Sequence, residues 1–242
     1  MSFRYLISFL LVTPAFALTI CAEPDNLPMS ERTSRSGYEI EVAELLAKDL
    51  GEKLDVKWIA QRDHSYFRQT IGKDQCQAIM GVPAGFHRLT TTAPWYTTGF
   101  VFVSQNGLPQ SFDDKNLSTL RIGVPATGLG ETPPALALSK RGLVKNLRPY
   151  SIYEPKTMIE AVKKKEIDLA VVWGPFAGWF GKDLHVAPTP EKDGAMPLAF
   201  DVTIGLKKGN MKLKEKLDRA IARNRTKIDD ILARWRVPVR GK

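Results

Sequence analysis

The side chains best suited to catalysis are three carboxylates near predicted strand ends, namely Asp25, Glu39 and Asp168. Two carboxylates facing one cleft can act as general acid and general base, as in glycosidases. Glu39 falls in the first turn of a predicted helix, where the helix dipole favours an acid in any case. Asp168 begins a predicted strand, at the end away from a cleft. Since there is also no Ser-His-Asp order and no nucleophile elbow, we do not expect an enzyme.

The histidines and cysteines give no metal site. His64, His87 and His185 are scattered singly and no Cys-x-x-Cys occurs, so we predict neither a metal nor another cofactor. Cys21 and Cys76 are the only cysteines, and in an oxidising compartment such a pair is more often bridged than free. The alternative is two buried thiols on neighbouring strands, because the sequence does not give the distance between their Cβ atoms.

The first 17 residues have the pattern of a signal peptide. A cationic Ser2-Phe3-Arg4 segment precedes an apolar run over residues 5–12 and then Ala15-Phe16-Ala17, the small-x-small pattern that signal peptidase cuts. This predicts cleavage after Ala17 and a periplasmic protein. The apolar run is shorter than the roughly 20 residues that span a bilayer, so we do not expect a membrane-spanning chain. The alternative reading is a buried apolar strand.

The net charge of +9 is concentrated at the C-terminus. Residues 201–242 hold 13 Lys and Arg against five Asp and Glu, a surplus of eight. Because the protein is expected to be exported, we do not expect it to bind nucleic acid. The basic surplus could bind an acidic protein or an anionic membrane surface, or it could serve solubility alone.

Residues 18–51 predict a strand, a loop and a helix. Residues 18–22 are apolar, residues 23–37 are rich in Pro, Asn, Asp, Ser and Arg, and residues 40–50 repeat apolar side chains at helical spacing before Gly51. In open α/β folds, ligands bind beyond the carboxyl ends of parallel strands. We therefore expect the loop to border a binding site.

The same pattern continues along the chain and predicts an α/β fold of two lobes, each a mixed, mostly parallel sheet flanked by helices. We predict helices over residues 61–71 and 211–235 and one extended strand over residues 90–104. Strands at residues 100–104 and 198–206 would cross between the lobes and could flex as a hinge. The predicted boundaries are a signal peptide at 1–17, a first lobe at 18–104 and 200–242, and a second lobe at 105–199.

Four segments in this order resemble type II periplasmic solute-binding proteins: LTICAEPDNLP, YEIEVAELLAKDLG, LRIGVPATG and EIDLAVVWG. Within that superfamily the chain is similar to the accessory J proteins of bacterial methanol oxidation, the MxaJ and XoxJ group. The residues that carry this closer resemblance are CAEPDNLP from Cys21, the pair Gln61-Arg62, Cys76, MGVPAGF from Met80, TPPALAL from Thr132 and VVWGP from Val171. The resemblance implies a role with a pyrroloquinoline quinone (PQQ) dehydrogenase.

The resemblance also implies a cleft between the lobes that binds a ligand or a partner. We place in this cleft the residues of the post-strand loops and their neighbours: Asn26, Leu27, Arg62, Gly81, Pro83, Ala84, Arg88, Trp95, Thr127, Gly128, Trp173 and Gly174.

The chain differs from the amino-acid receptors of this superfamily at both positions that bind a charged group of the ligand. Those receptors hold the ligand carboxylate with an Arg about nine residues before a Pro-aromatic pair, but here Gly85 stands nine residues before Pro94-Trp95 and Arg88 stands six before it. They hold the ammonium with an Asp after a paired aliphatic strand end, but here Trp173 and Gly174 follow. Because burying an unpaired charge costs several kcal/mol, an amino acid is a poor candidate ligand.

Three functions therefore compete. The first is a non-catalytic accessory protein for a periplasmic PQQ-dependent methanol or alcohol dehydrogenase, which binds an immature form of that enzyme or its cofactor. The second is the receptor of an ABC importer with an unusual small ligand. The third is an enzyme such as a dehydratase or a lytic transglycosylase, which share this fold but need the carboxylates discussed above.

Overall fold

The computed structural model describes residues 17–61, 65–107, 109, 111–127 and 132–241. The strands are β1 (Ala17–Ala22), β2 (Asp25–Asn26), β3 (Ser30–Glu31), β4 (Lys53–Trp58), β5 (Ala78–Pro83), β6 (Thr90–Thr91), β7 (Tyr96–Ser104), β8 (Ile122–Ala126), β9 (Leu147–Ser151), β10 (Leu169–Trp173), β11 (His185–Pro188), β12 (Lys192–Asp193), β13 (Met196–Pro197) and β14 (Ala199–Leu206). The α-helices are α1 (Tyr38–Asp49), α2 (Tyr66–Gln69), α3 (Pro133–Ser139), α4 (Pro155–Lys163), α5 (Gly174–Phe180), α6 (Met211–Arg223) and α7 (Arg225–Arg234). Short 3-10 turns cover Ile71–Lys73, Lys115–Thr119 and Val144–Asn146.

The longer strands form one continuous sheet in the order β4-β1-β5-β14-β7-β10-β8-β9, with β6 on β14 and β11 on β7. Strand β1 is parallel to β4 and β5, and β8 is parallel to β9 and β10. The antiparallel strands β14 and β7 join these two parallel units. The predicted fold class, a two-lobed α/β protein with mixed, mostly parallel sheets, is confirmed.

The first strand and helix form where the sequence predicts them. Helix α1 begins after Gly37, which has a φ of 126° and has no room for a Cβ because the Met29 carbonyl lies against it. It ends before Gly51, whose φ of 71° is also in the region that favours glycine. The buried face of α1 consists of Tyr38, Ile40, Val42, Ala43, Leu46 and Ala47.

Strand β7 belongs to both parallel units. Its first half pairs with β14, with Gly99 opposite Ala199, and its second half pairs with β10, with Phe100 opposite Trp173. The chain thus passes from one unit to the other at residues 99–100, at the start of the predicted crossing. The predicted lobe boundaries, 18–104 with 200–242 and 105–199, remain a prediction.

Three of the predicted elements differ from the structure. The helix predicted over residues 211–235 is broken at Asn224, whose buried side chain amide donates to Ala220 O and to Asp49 Oδ1, at 2.9 Å each. The strand predicted over residues 90–104 is two strands, β6 and β7. The helix predicted over residues 61–71 is represented by α2 and the 3-10 turn after it, while residues 62–64 lie outside the described residues.

The core runs through both lobes. One buried cluster contains Leu18 of β1 and Ile40 of α1 together with Met158 of α4 and Val172 of β10. A separate cluster on the other face of the first unit includes the predicted disulfide between Cys21 and Cys76, which is formed, with an S–S distance of 2.02 Å. The disulfide prediction is therefore confirmed.

The predicted signal peptide lies, apart from Ala17, outside the described residues. Ala17 is the first residue of β1, opposite Lys53 of β4. No helix within the described part of the chain is both long enough and apolar enough to cross a membrane.

Candidate functional site

A cavity lies where three strands of the second unit end. Pro125 of β8, Ser151 of β9 and Trp173 of β10 line it, and all three stand at the carboxyl ends of their strands. The cavity has a volume of about 170 Å³. This is the edge of a parallel sheet at which open α/β folds bind ligands.

The helices that follow these strands supply much of the remaining wall. Helix α3 follows β8, α4 follows β9 and α5 follows β10, and each helix contributes a residue of its first turn to the cavity: Pro133, Pro155 and Phe176. Besides the three strand residues, the wall consists of Phe100, Thr132, Pro133, Ile152, Pro155, Met158, Val172 and Phe176. Two of the three helices begin with a proline at the first position, which has no backbone N–H to leave unsatisfied.

The wall of the cavity is apolar. Eight of its eleven residues carry no polar group in the side chain, the polar groups are the hydroxyls of Thr132 and Ser151 and the indole N–H of Trp173, and none of the eleven is charged. The Thr132 hydroxyl donates to Pro125 O at 2.7 Å, and the Ser151 hydroxyl accepts from Tyr153 N at 3.2 Å. Thr132 is the N-cap residue of α3, but its side chain makes no capping hydrogen bond. Its hydroxyl instead ties the helix start to β8.

Trp173 is the predicted site residue that the cavity contains. Its ring lies 5.5 Å from that of Phe100 and 5.9 Å from that of Phe200, measured between centroids. Phe100 stands at the crossing in β7 and Phe200 in β14, so the aromatic group connects the cavity to the crossing strands. The cavity can receive an apolar or aromatic group, and the described side chains that line it include none that would neutralise the charges of an amino acid.

Two predicted cleft residues lie elsewhere. Trp95 is fully buried, and its indole N–H has no hydrogen-bond acceptor among the described residues. It packs against Tyr38 and Tyr96, whose hydroxyls are 2.9 Å apart. Gly174 is buried against Gly99 O, not against the cavity. Both were assigned to a cleft from their place in the chain, and that assignment stays a prediction.

The remaining predicted residues that the structure describes lie in or beside loops, outside the wall of the cavity. Pro83 and Ala84 are exposed at the end of β5, Arg88 is exposed, and Thr127 is exposed after β8. Asn26 and Leu27 form the half-buried turn between β2 and β3, where Met29 N donates to Asn26 O. The loop therefore satisfies much of its own backbone as a small hairpin. Arg62 and Gly128 lie outside the described residues.

Gly81 has a neighbour that the sequence did not predict. Its φ is 70°, and the Glu39 carboxylate lies against its Cα, so a side chain here would collide with Glu39. Burial raises the pKa of Glu39 to about 8. The carboxyl group is therefore largely protonated at neutral pH.

Two of the candidate catalytic carboxylates, Asp168 and Asp25, lie away from the cavity. Asp168 accepts from Arg121 Nε at 3.0 Å and from Arg121 Nη2 at 2.8 Å, at the amino end of β10, and this pairing lowers its pKa. Asp25 is exposed in β2. The described residues contain no group of three or more His, Cys, Asp or Glu that could hold a metal ion.

Several cavity residues were missed by the sequence-based prediction, above all Phe100, Pro133, Pro155 and Phe176. Pro133 and Pro155 could have been found, because a proline that opens the helix after a strand must lie at the carboxyl edge of the sheet. Phe100 and Phe176 carry no such signal, since their orientation depends on how β7 and α5 pack.

No family model matches the chain. It is 28% identical over 257 residues to the protein MoxJ of Paracoccus denitrificans, covering 95% of this chain and 92% of that protein. It is also 28% identical over 251 residues to the protein MoxJ of Methylorubrum extorquens, covering 93% of this chain and 82% of that protein.

Two solved structures have the same fold over nearly the whole chain. The periplasmic binding protein XoxJ from Methylobacterium extorquens AM1 is 29% identical, with a TM-score of 0.78 over 93% of this chain and 100% of that chain. MxaJ from Methlophaga aminisulfidivorans MPT is 21% identical, with a TM-score of 0.79 over 92% of this chain and 99% of that chain. By sequence and by fold, the chain is similar to the MoxJ, MxaJ and XoxJ proteins, and it has the type II periplasmic binding protein architecture.

Proposed function

We propose that the chain is a periplasmic, non-catalytic accessory protein for a PQQ-dependent methanol or alcohol dehydrogenase. We further propose that the cavity at the ends of β8, β9 and β10 receives an apolar group of that dehydrogenase during its assembly or activation. The similarity to the J proteins supports the first part, and the chemistry of the cavity supports the second.

The apolar wall at Trp173 is the observation that carries the proposal. In an amino-acid receptor this strand end supplies an acid for the ligand ammonium, whereas here Val172 and Trp173 line the cavity instead. Aromatic side chains bury a large area and often anchor protein contacts. A small polar nutrient gains nothing from such a wall, so the alternative of an importer receptor is not favoured.

The proposed location rests on three observations. The pattern of residues 1–17 predicts export, the Cys21–Cys76 disulfide is typical of an oxidising compartment, and the related XoxJ is a periplasmic binding protein.

The test is native mass spectrometry of the mature protein with a purified quinoprotein methanol dehydrogenase, in both its cofactor-loaded and cofactor-free forms. We expect a complex with at least one form. The variant Trp173→Asp places a charge in the apolar wall and should weaken the complex by roughly tenfold or more, as loss of an aromatic anchor does.

Val144→Asp is the matched control. Val144 is 60% exposed and lies before β9, at the opposite end of that strand from Ile152. Its substitution adds the same charge and should leave the complex unchanged. Absence of any complex, or equal binding by Trp173→Asp and the parent protein, would contradict the proposal. Capture of a metabolite in the cavity would favour the importer receptor.

A further inference from the structure

The chain makes a third connection between the lobes, after the crossings in β7 and β14. Helix α7 ends at Arg234, and the chain then turns at Arg236, which has a φ of 54°. Val237 is buried and donates its N–H to Leu232 O at 2.9 Å. We call residues 236–241 the terminal strap. It continues from α7 across the middle of the molecule.

The strap begins on an element of the first lobe. Trp235 donates its indole N–H to Glu41 Oε1 at 2.8 Å, and the Arg234 guanidinium pairs with the other oxygen of the same carboxylate. Glu41 lies on α1, which follows β1. The start of the strap is therefore fixed to the first lobe by two side chains that share one acid.

The middle of the strap packs on α5 of the second lobe. At Gly178 the Arg236 carbonyl occupies the place of a Cβ, and at Gly174 a Cβ would lie 2.9 Å from Pro238 Cγ. The two glycines are four residues apart and thus share one face of the helix. Trp179, the next residue of α5, stacks on Trp235 with the ring centroids 4.7 Å apart. Only a helix face without side chains allows the strap to approach so closely.

The end of the strap is hydrogen-bonded to the crossing strand. The Thr98 hydroxyl donates to Pro238 O at 2.7 Å, and Arg240 N donates to Thr97 O at 2.8 Å. The Arg240 guanidinium donates to Phe100 O at 2.6 Å and to Thr189 O at 2.9 Å. Thr189 follows β11 in the second lobe, and its hydroxyl also donates to Phe100 O, at 2.9 Å. Hydrogen bonds from a charged donor are stronger than those between neutral groups.

We propose that the terminal strap holds the two lobes at one angle and that the hydrogen bonds of Arg240 keep the end of the strap in place. The strap is fixed to α1 on one side and to α5 and Thr189 on the other. Rotation of the lobes about β7 would break the hydrogen bonds of Arg240 and separate the strap from α5. The two lobes therefore keep one separation and do not close around a ligand as a hinged receptor does. This inference does not depend on the identity of the partner.

Pulsed electron–electron double resonance, which measures the distance between two spin labels, tests the proposal on the full mature chain. Spin labels are placed at Glu44→Cys on α1 and Lys145→Cys before β9, both of which are exposed. The two native cysteines are joined in the disulfide and do not compete for the label. We expect one narrow distance distribution in the parent protein. Arg240→Ala and Gly178→Ala, which displaces the strap from α5, should each add a second distance population.

Each variant has a matched control. Arg219→Ala removes an arginine that is 63% exposed on α6, and Gly107→Ala adds a methyl group where no atom lies within 4 Å. Both should keep the parent distribution. A broad distribution in the parent protein would overturn the proposal, as would an unchanged distribution in Arg240→Ala. Because Arg240 is half-buried and lies at the end of the strap away from α7, Arg240→Ala tests the proposal even where Gly178→Ala does not fold.

Discussion

At the scale of single residues, Glu39 shows how burial changes the properties of a side chain that the sequence places correctly. The helix dipole explains an acid in the first turn of α1. The structure adds that this acid lies against Gly81, near the buried hydroxyl of Tyr96. Because its charged form is poorly solvated there, its pKa rises from 4.5 to about 8. Burial raises the pKa of Tyr96, and so does the charge that Glu39 carries once it is ionised.

This raised pKa predicts a pH dependence of stability. The folded state favours protonated Glu39, so its contribution to the free energy of unfolding is full below pH 4.5 and falls as the pH rises towards 8. Glu39→Gln is always neutral and should raise the melting temperature at pH 8 while changing it little at pH 4. The measurement is thermal unfolding by circular dichroism at both pH values.

Glu44→Gln serves as the control for Glu39→Gln. Glu44 is an exposed residue on the same helix, and its substitution should change the melting temperature little at either pH. Equal effects of Glu39→Gln at pH 4 and pH 8 would contradict the burial of a protonated acid.

At the scale of elements, the C-terminal helices explain much of the uneven charge. Three basic residues of these helices, and one that precedes them, form ion pairs with acids of the first lobe. The pairs are Lys207 with Asp74, Lys216 with Glu52, Arg223 with Asp49 and Arg234 with Glu41. The basic surplus thus serves in part to attach α6 and α7 to α1 and its neighbours. The cationic face of these helices is accordingly less free to steer an acidic partner than the sequence suggests.

The break between α6 and α7 offers a second prediction. Hydrogen bonds from Arg223 and from Asn224 lower the pKa of Asp49 below its ordinary 3.8. A lowered pKa means that the charged form stabilises the fold above pH 3.8 and that this stabilisation is lost as the pH falls below it. Asp49→Asn should lower the free energy of unfolding by about 1 kcal/mol at pH 7, since Arg223 is largely solvated, and by less at pH 3.

Urea unfolding at the two pH values measures this difference. Arg219→Gln removes a different exposed ion pair, with 4.0 Å between Arg219 and Glu215, and should change the stability little. A loss of stability in Asp49→Asn that is the same at pH 3 and pH 7 would show that the charge of Asp49 is not what stabilises the helix junction.

At the scale of the whole molecule, the two lobes share one core and one sheet. The main buried cluster contains Leu18 and Ile40 from the first lobe and Met158 and Val172 from the second. Strand β7 pairs with both units, and the terminal strap adds a further connection. Two lobes joined so closely should not unfold independently.

We therefore expect a single thermal transition in calorimetry, with equal calorimetric and van't Hoff enthalpies. Met158→Ala should lower the stability of the whole chain by about 2–5 kcal/mol, because Met158 is 1% exposed and its loss leaves a cavity. Met211→Ala, at a residue that is 52% exposed, is the control and should change the transition little. Two separate transitions, or a shift of only one of them in Met158→Ala, would contradict a shared core.

Periodicity in the sequence determined the elements and the fold class. The apolar pattern located β1 and α1, because a strand or helix that buries one face repeats its apolar residues at a fixed spacing. The sequence also favoured the pairing of Cys21 with Cys76, because they are its only two cysteines. These features are local, or depend on the order of segments alone.

Only the tertiary structure decided which residues meet. It buried Trp95, which the sequence placed in a cleft, and it brought Phe100, Pro133 and Phe176 together in one cavity. It also laid residues 236–241 across Gly174 and Gly178 of α5. The physical reason is that such contacts depend on the direction of side chains and on the approach of segments far apart in the chain. Neither quantity leaves a periodic signal in the sequence.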